Sequence, residues 1–129
     1  MRPLIILVVL SFASTPEPLI ADTTQSDAEN VLACRAFAAS FGGYDLEIIE
    51  GLTATDGYAR ASYVRPLDRS KWAYACKFEG DRLIWAADEN GRLGRWRTEE
   101  NIQYIITESN VTIQQIWSDS SLSEDTYER

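Results

Sequence analysis

Cys34 and Cys76 are the only thiols in a chain of 129 residues, and the chain contains no histidine. Together these facts bound the available chemistry. Without an imidazole there is no Ser-His or Cys-His nucleophile pair and no histidine-ligated metal site. Carboxylates remain, and a pair of them can run glycosidase chemistry as acid and base or acid and nucleophile. Glu47, Glu50, Asp88, Glu89, Glu99 and Glu100 are the candidates for that role. With twenty acidic residues in the chain, no spacing singles out a pair, so no catalytic residue is assigned. No P-loop, G-x-G-x-x-G or G-x-S-x-G occurs. Asp88-Glu89-Asn90-Gly91 offers oxygen ligands but lacks the length and closing glutamate of a calcium loop. It reads as a turn, and neither a metal nor a cofactor is expected.

A second constellation is better suited to binding than to catalysis. Trp72, Trp85, Trp96 and Trp117 are interleaved with Arg60, Arg65, Arg69, Arg92, Arg95 and Arg97. Tryptophan and arginine dominate interface hot spots because they combine large rigid area with directed donors. Small sheet domains also fill their cores with tryptophan, so each ring must be placed before it can be interpreted. Arg65, Arg95, Arg97 and Trp85 are the binding candidates.

The elements that would position these residues follow from period and punctuation. Ser26-x-x-Glu29 forms a capping box and Gly42-Gly43 a stop, which predicts one helix over 27 to 41. Its apolar stripe runs Val31, Cys34, Phe37, Ala38 and Phe41, leaving Asn30 and Arg35 facing water. After Gly43 the period falls to about two, with strands predicted at 45 to 50, 58 to 65, 70 to 79, 82 to 87, 94 to 98, 102 to 107 and 111 to 117. Asp56-Gly57 is the strongest hairpin signal, since a type I′ turn requires positive φ at both central residues. Residues 118 to 129, rich in serine and acid, read as a flexible acidic tail.

The strand at 70 to 79 puts Trp72, Tyr74, Cys76 and Phe78 on one face. Cys34 in mid-stripe and Cys76 in mid-strand therefore both point inward, and a helix laid across this strand would join them in a disulfide. Alternation also opposes Ile84 to Trp85, Ile105 to Ile106 and Ile116 to Trp117. A sheet apolar on both faces must curl or present an apolar patch to a partner. The expected fold is α+β: one N-terminal helix on an antiparallel meander of six or seven strands, flat or curled, in a single domain over 22 to 117.

Compartment is suggested by the N-terminus. Arg2 precedes about ten apolar residues ending near Ala13, the arrangement of a secretory leader. The run is shorter than the roughly 20 apolar residues of a membrane span. A signal peptide over 1 to 21, cut after Ala21 or earlier after Ala13, would leave a periplasmic or secreted chain in which a disulfide persists. Val31-Leu32-Ala33-Cys34 resembles a lipobox but follows polar residues, so lipidation is not expected. The net charge is −8. Residues 22 to 59 carry one basic and seven acidic side chains, 60 to 97 nine and five, and 98 to 129 one and seven. An acidic protein with a basic middle is not a nucleic-acid binder, because phosphate contacts need net positive surface.

Ala33-Cys34, Ser62-Tyr63-Val64-Arg65-Pro66, Trp72-x-Tyr74-x-Cys76, Arg82-Leu83-Ile84-Trp85-Ala86 and Gly94-Arg95-Trp96-Arg97-Thr98 span most of the chain. They resemble small exported bacterial proteins of unknown function that have an N-terminal Ala-Cys helix and a Trp-rich antiparallel sheet. That resemblance implies the fold and the cysteine pairing and carries no active site. Tyr74-x-Cys76 opening a Trp-containing hairpin is also similar to periplasmic inhibitors of lysozyme, from which the leading helix departs. The functional expectation is a non-catalytic exported binding module contacting an envelope protein or an anionic glycan. The alternatives are a small carboxylate-dependent hydrolase of envelope polysaccharide and an inhibitor of a lysozyme-like enzyme.

Overall fold

The Ser26 hydroxyl accepts the Glu29 backbone N–H at 3.1 Å and starts a helix, α1, over Asp27–Gly42. Gly43, at φ 78°, ends it by donating its N–H to the Ala39 carbonyl. In this computed structural model residues 25–129 are described; the leader expected over 1 to 21 lies outside the described residues. Eight strands follow the helix: β1 Glu50–Thr53, β2 Ala59–Val64, β3 Lys71–Glu79, β4 Arg82–Glu89, β5 Arg92–Leu93, β6 Arg97–Ile106, β7 Asn110–Ile116 and β8 Leu122–Glu128. They pair antiparallel in the order β1-β2-β3-β4-β6-β7-β8, with β5 a short hairpin partner of β4.

The sheet curls around the helix. Leu32, Ala33, Cys34, Ala36, Phe37, Ala38 and Ala39 are all buried, and at about 3.6 residues per turn these point in nearly every direction. The expected single stripe is therefore too narrow. The helix touches β1, β2 and β3 on one flank and β6 and β7 on the other. Gly51 on β1 allows the closest approach, because a Cβ there would lie 2.6 Å from Val31 Cγ1. Cys34 and Cys76, both buried, form the expected disulfide with their Cα atoms 5.7 Å apart.

The opposite face of the sheet has a smaller apolar layer. Ala75, Ile84 and Ala86 are buried there, outside the helix-side cluster. The segment after β5 folds back, Gly94 donating to the Ala87 carbonyl at 2.8 Å. Trp96 then packs on Tyr58 at 4.9 Å and beneath the Lys77 ammonium at 4.8 Å. Arg60 on this face bonds Asp88 at 2.9 Å and Asp56 at 2.7 Å.

Five further expectations are corrected. Residues 45 to 50 are not a strand: Leu46–Ile48 is a 3-10 turn, and β1 begins at Glu50. Arg35 does not face water, because its guanidinium donates to the Ile49 carbonyl at 2.8 Å and the Leu46 carbonyl at 3.0 Å, capping that turn. Asp56-Gly57 is not type I′, since only Gly57 has positive φ; Asn90-Gly91, at 58° and 91°, is the pair that meets the requirement. The strands at 94 to 98 and 102 to 107 are joined in β6, and the expected break survives as a bulge. A step of two residues on β4, from Leu83 to Trp85, faces a step of five on β6, from Ile102 to Arg97.

The fifth correction is to the acidic tail. Leu122–Glu128 forms β8, fully paired with β7 from Asn110↔Glu128 to Ile116↔Leu122. Tyr127 packs against the core, while Gln114 donates to Glu124 at 2.8 Å and Thr112 bonds Thr126 at 2.9 Å on the exposed face. The connecting serines serve a turn rather than disorder: Asp119 accepts both the N–H and the O–H of Ser121, at 2.9 and 2.6 Å.

Candidate functional site

The last turn of α1 sets the geometry of the site. Phe37 points into the core and is buried, whereas Phe41, one turn later on the same side, is 52% exposed. Phe41 nevertheless belongs to an aromatic cluster, with its centroid 5.1 Å from Trp85 and 5.8 Å from Tyr74. Phe37 lies tilted against Trp85 at 5.4 Å, and Tyr74 meets Trp85 edge-on at 5.5 Å. Burial pushes the Tyr74 phenol well above its ordinary pKa, with Tyr63 as a secondary cause. The cluster therefore acts as an apolar floor, neutral at physiological pH.

Phe41 is a ridge with a depression on either side. One, about 180 Å³, lies among Phe41, Tyr44, Tyr63, Arg65, Trp72 and Tyr74. The other, about 310 Å³, runs between α1 and strands β6 to β8, with Phe37, Phe41, Ile102, Ile113 and Trp117 as its apolar lining. Ser40, Glu100, Gln115, Ser123 and Asp125 supply its polar lining. Trp72 and Trp117, 40% and 48% exposed, mark the outer limits of this surface. Of the four tryptophans, Trp85 was the expected binding residue, but it is only 5% exposed, covered by Phe37 and Phe41, and is corrected to a core residue. Trp96 closes the far face, and Trp72 and Trp117 are surface.

Of the arginines expected to form a binding face, Arg65 and Arg97 lie against these rings. Arg65 sits over Trp72 at 5.1 Å and Arg97 over Trp85 at 4.9 Å, both on the side of the sheet that carries the helix. Arg95 and Arg97 converge on one carboxylate, Glu99, at 3.1 to 3.2 Å. Arg65 has its own partner, Asp68, bound through Nε at 3.0 Å. Arg65 and Arg97 are therefore held on aromatic faces by acids, while Arg95 is exposed and paired with Glu99. The β6 bulge makes this arrangement possible, because its extra residues aim Glu99 at the arginines and Glu100 at the Trp85 indole.

The carboxylates considered for hydrolysis are dispersed among separate contacts. Glu47, Glu50 and Glu89 are exposed on the 3-10 turn, β1 and the end of β4, and Asp88 is paired with Arg60. The Arg95 guanidinium is the main cause holding Glu99 at about 2, with its backbone and Arg97 contributing. A general acid needs a shift in the other direction. Glu100 accepts the Trp85 indole N–H at 2.7 Å. Two lining residues escaped the sequence reading. Asp125 was hidden by the reading of 118 to 129 as a tail, because only Tyr127 of β8 is even partly buried. Phe41 was assigned to a covered stripe, and only the position of the helix end exposes it.

Fold and site together define an α+β protein: one helix clasped by a curled antiparallel sheet, stapled by Cys34–Cys76, with an aromatic surface left open at the C-terminal end of the helix. Comparison with known protein families, characterised proteins and solved structures found no match.

Proposed function

We propose that the protein is a non-catalytic exported binding module, and that the surface around Phe41, Trp72 and Trp117 receives a polypeptide partner. The observation that carries this reading is the exposure of three large aromatic side chains around one end of one helix, flanked by arginines stacked on Trp72 and Trp85. Rigid aromatic and guanidinium groups are the usual anchors of protein interfaces. An anionic glycan fits less well, because Asp68 and Glu99 already occupy the guanidinium donors it would need, on a chain of net charge −8. Export is supported by the disulfide, which persists in oxidising compartments. Among the described residues no helix is long and apolar enough to cross a membrane.

The test compares capture of partners from envelope extract by the wild type, a Phe41→Ser/Trp117→Ser variant and a Leu67→Ser control; Leu67 is 86% exposed and lies in the β2–β3 turn. The expected result is loss of a discrete polypeptide with the double variant alone. Equal recovery by all three, or recovery of polyanionic glycan in place of protein, would overturn the proposal.

A further inference from the structure

The larger depression brings two carboxylates, each held by a neutral donor, beside exposed aromatic rings. Glu100 receives the Trp85 indole N–H at 2.7 Å through Oε1, and Asp125 receives the Ser40 hydroxyl at 2.6 Å through Oδ2. Each is thereby oriented by a neutral donor. Neither forms an ion pair among the described residues, whereas Asp56, Asp68, Asp88 and Glu99 all do. Both line the same depression as the exposed rings of Phe41 and Trp117. At about 310 Å³ the space is at the small end of ligand sites, suited to a side chain with its flanking backbone.

Oriented anions beside exposed aromatic faces are the complement of an organic cation on an apolar stem. The rings attract the charge through their quadrupoles and cover the methylenes, and the carboxylates supply the counter-charge. We infer that this groove takes a lysine or arginine side chain from an extended segment of the partner polypeptide, its stem between Phe41 and Trp117 and its charged head between Glu100 and Asp125. This rests on the reading of the aromatic surface as a protein-binding site and adds the partner's chemistry. A second copy of this chain is a poor occupant, since β8, which borders the groove, is itself acidic at Glu124, Asp125 and Glu128.

The four indoles are built-in reporters. The N–H of Trp85 is bonded to Glu100 and that of Trp117 to Ser123, both in the groove lining; that of Trp72 is bonded to Ser70, and Trp96 lies on the far face. The ¹⁵N-labelled oxidised protein is titrated with a short blocked peptide alternating leucine with arginine, and with its glutamate counterpart. The arginine peptide is expected to shift the Trp85 and Trp117 indole signals and leave Trp96 in place, and the glutamate peptide to shift neither. A Glu100→Gln/Asp125→Asn variant, with its Trp96 signal unmoved as the check on folding, is expected to bind the arginine peptide at least tenfold more weakly. Unchanged affinity in that variant, absence of shifts at Trp85 and Trp117, or an equal response to the glutamate peptide would overturn the cation assignment. Shifts confined to Trp72 would overturn it while leaving the aromatic surface as a binding site, which the capture experiment tests separately.

Discussion

Glu99 illustrates how one side chain can fix the charges around it on a surface. Its carboxyl titrates at about 2 rather than 4.5 because Arg95, and then its own backbone and Arg97, stabilise the charged form. A depressed folded-state value stabilises the fold above the unfolded value, and that contribution disappears as pH falls from about 4.5 to about 2. Replacing Glu99 with Gln is therefore expected to lower the denaturation midpoint near neutral pH and to lower it much less at pH 2, a difference that chemical denaturation at several pH values would read. The gap should be small, because the pair is exposed and water screens it. Arg60 is a contrasting case: its side chain is only 12% exposed, and Asp88 beside it 13%. Arg60→Met leaves two acids without a cation and is expected to destabilise the protein, by less than the roughly 3–5 kcal/mol of a fully buried pair because Asp56 remains exposed to water, whereas Arg60→Met/Asp88→Leu should cost less than the sum of the two single changes. Additive losses would show that the ion pair does not couple the two residues.

At the level of elements, the two ends of the sheet test the curled architecture. On β1, Gly51→Ala would drive a methyl group into Val31 and the Arg35 stem, and is expected to cost about 1–3 kcal/mol by overpacking. A neutral result in thermal unfolding would mean that helix and strand do not meet closely there. At the other end, truncation after Trp117 removes β8 and uncovers the β7 edge. The expected loss of stability far exceeds the ±0.5 kcal/mol of ordinary surface changes; a frayed tail would be removed without effect. That strand shows where sequence reading stops. Ser118 to Asp125 has the composition of disorder, and only the partner β7, which buries Tyr127 and accepts a ladder of hydrogen bonds, makes it a strand. Similarly, the pause between the strands at 94 to 98 and 102 to 107 was legible, but not that a bulge would fill it. The helix and the inward faces of Cys34 and Cys76 were legible because caps and alternation are local. The groove was not, because it joins the helix end to residues of β6, β7 and β8 far away in the sequence.

For the whole molecule, a single staple and a single gap in the cover define the account. Cys34–Cys76 closes a separation of 42 residues, and chain entropy assigns such a loop about 4 kcal/mol. The Cys34→Ala/Cys76→Ala variant is expected to lose stability of that order in urea, and a loss below about 1 kcal/mol would mean that packing alone holds the helix in the sheet. The gap is the end of the helix, where the curled sheet is no longer covered and Phe41, Trp72 and Trp117 meet solvent. That this gap is the site of partner binding is the central claim, and site-specific photo-crosslinking in the cell that makes the protein tests it most directly. A photoreactive residue at position 41 or 117 is expected to trap one discrete polypeptide, and the same probe at position 67 or 89 to trap none. Adducts of equal yield from both sets of positions, or from 67 and 89 alone, would contradict it.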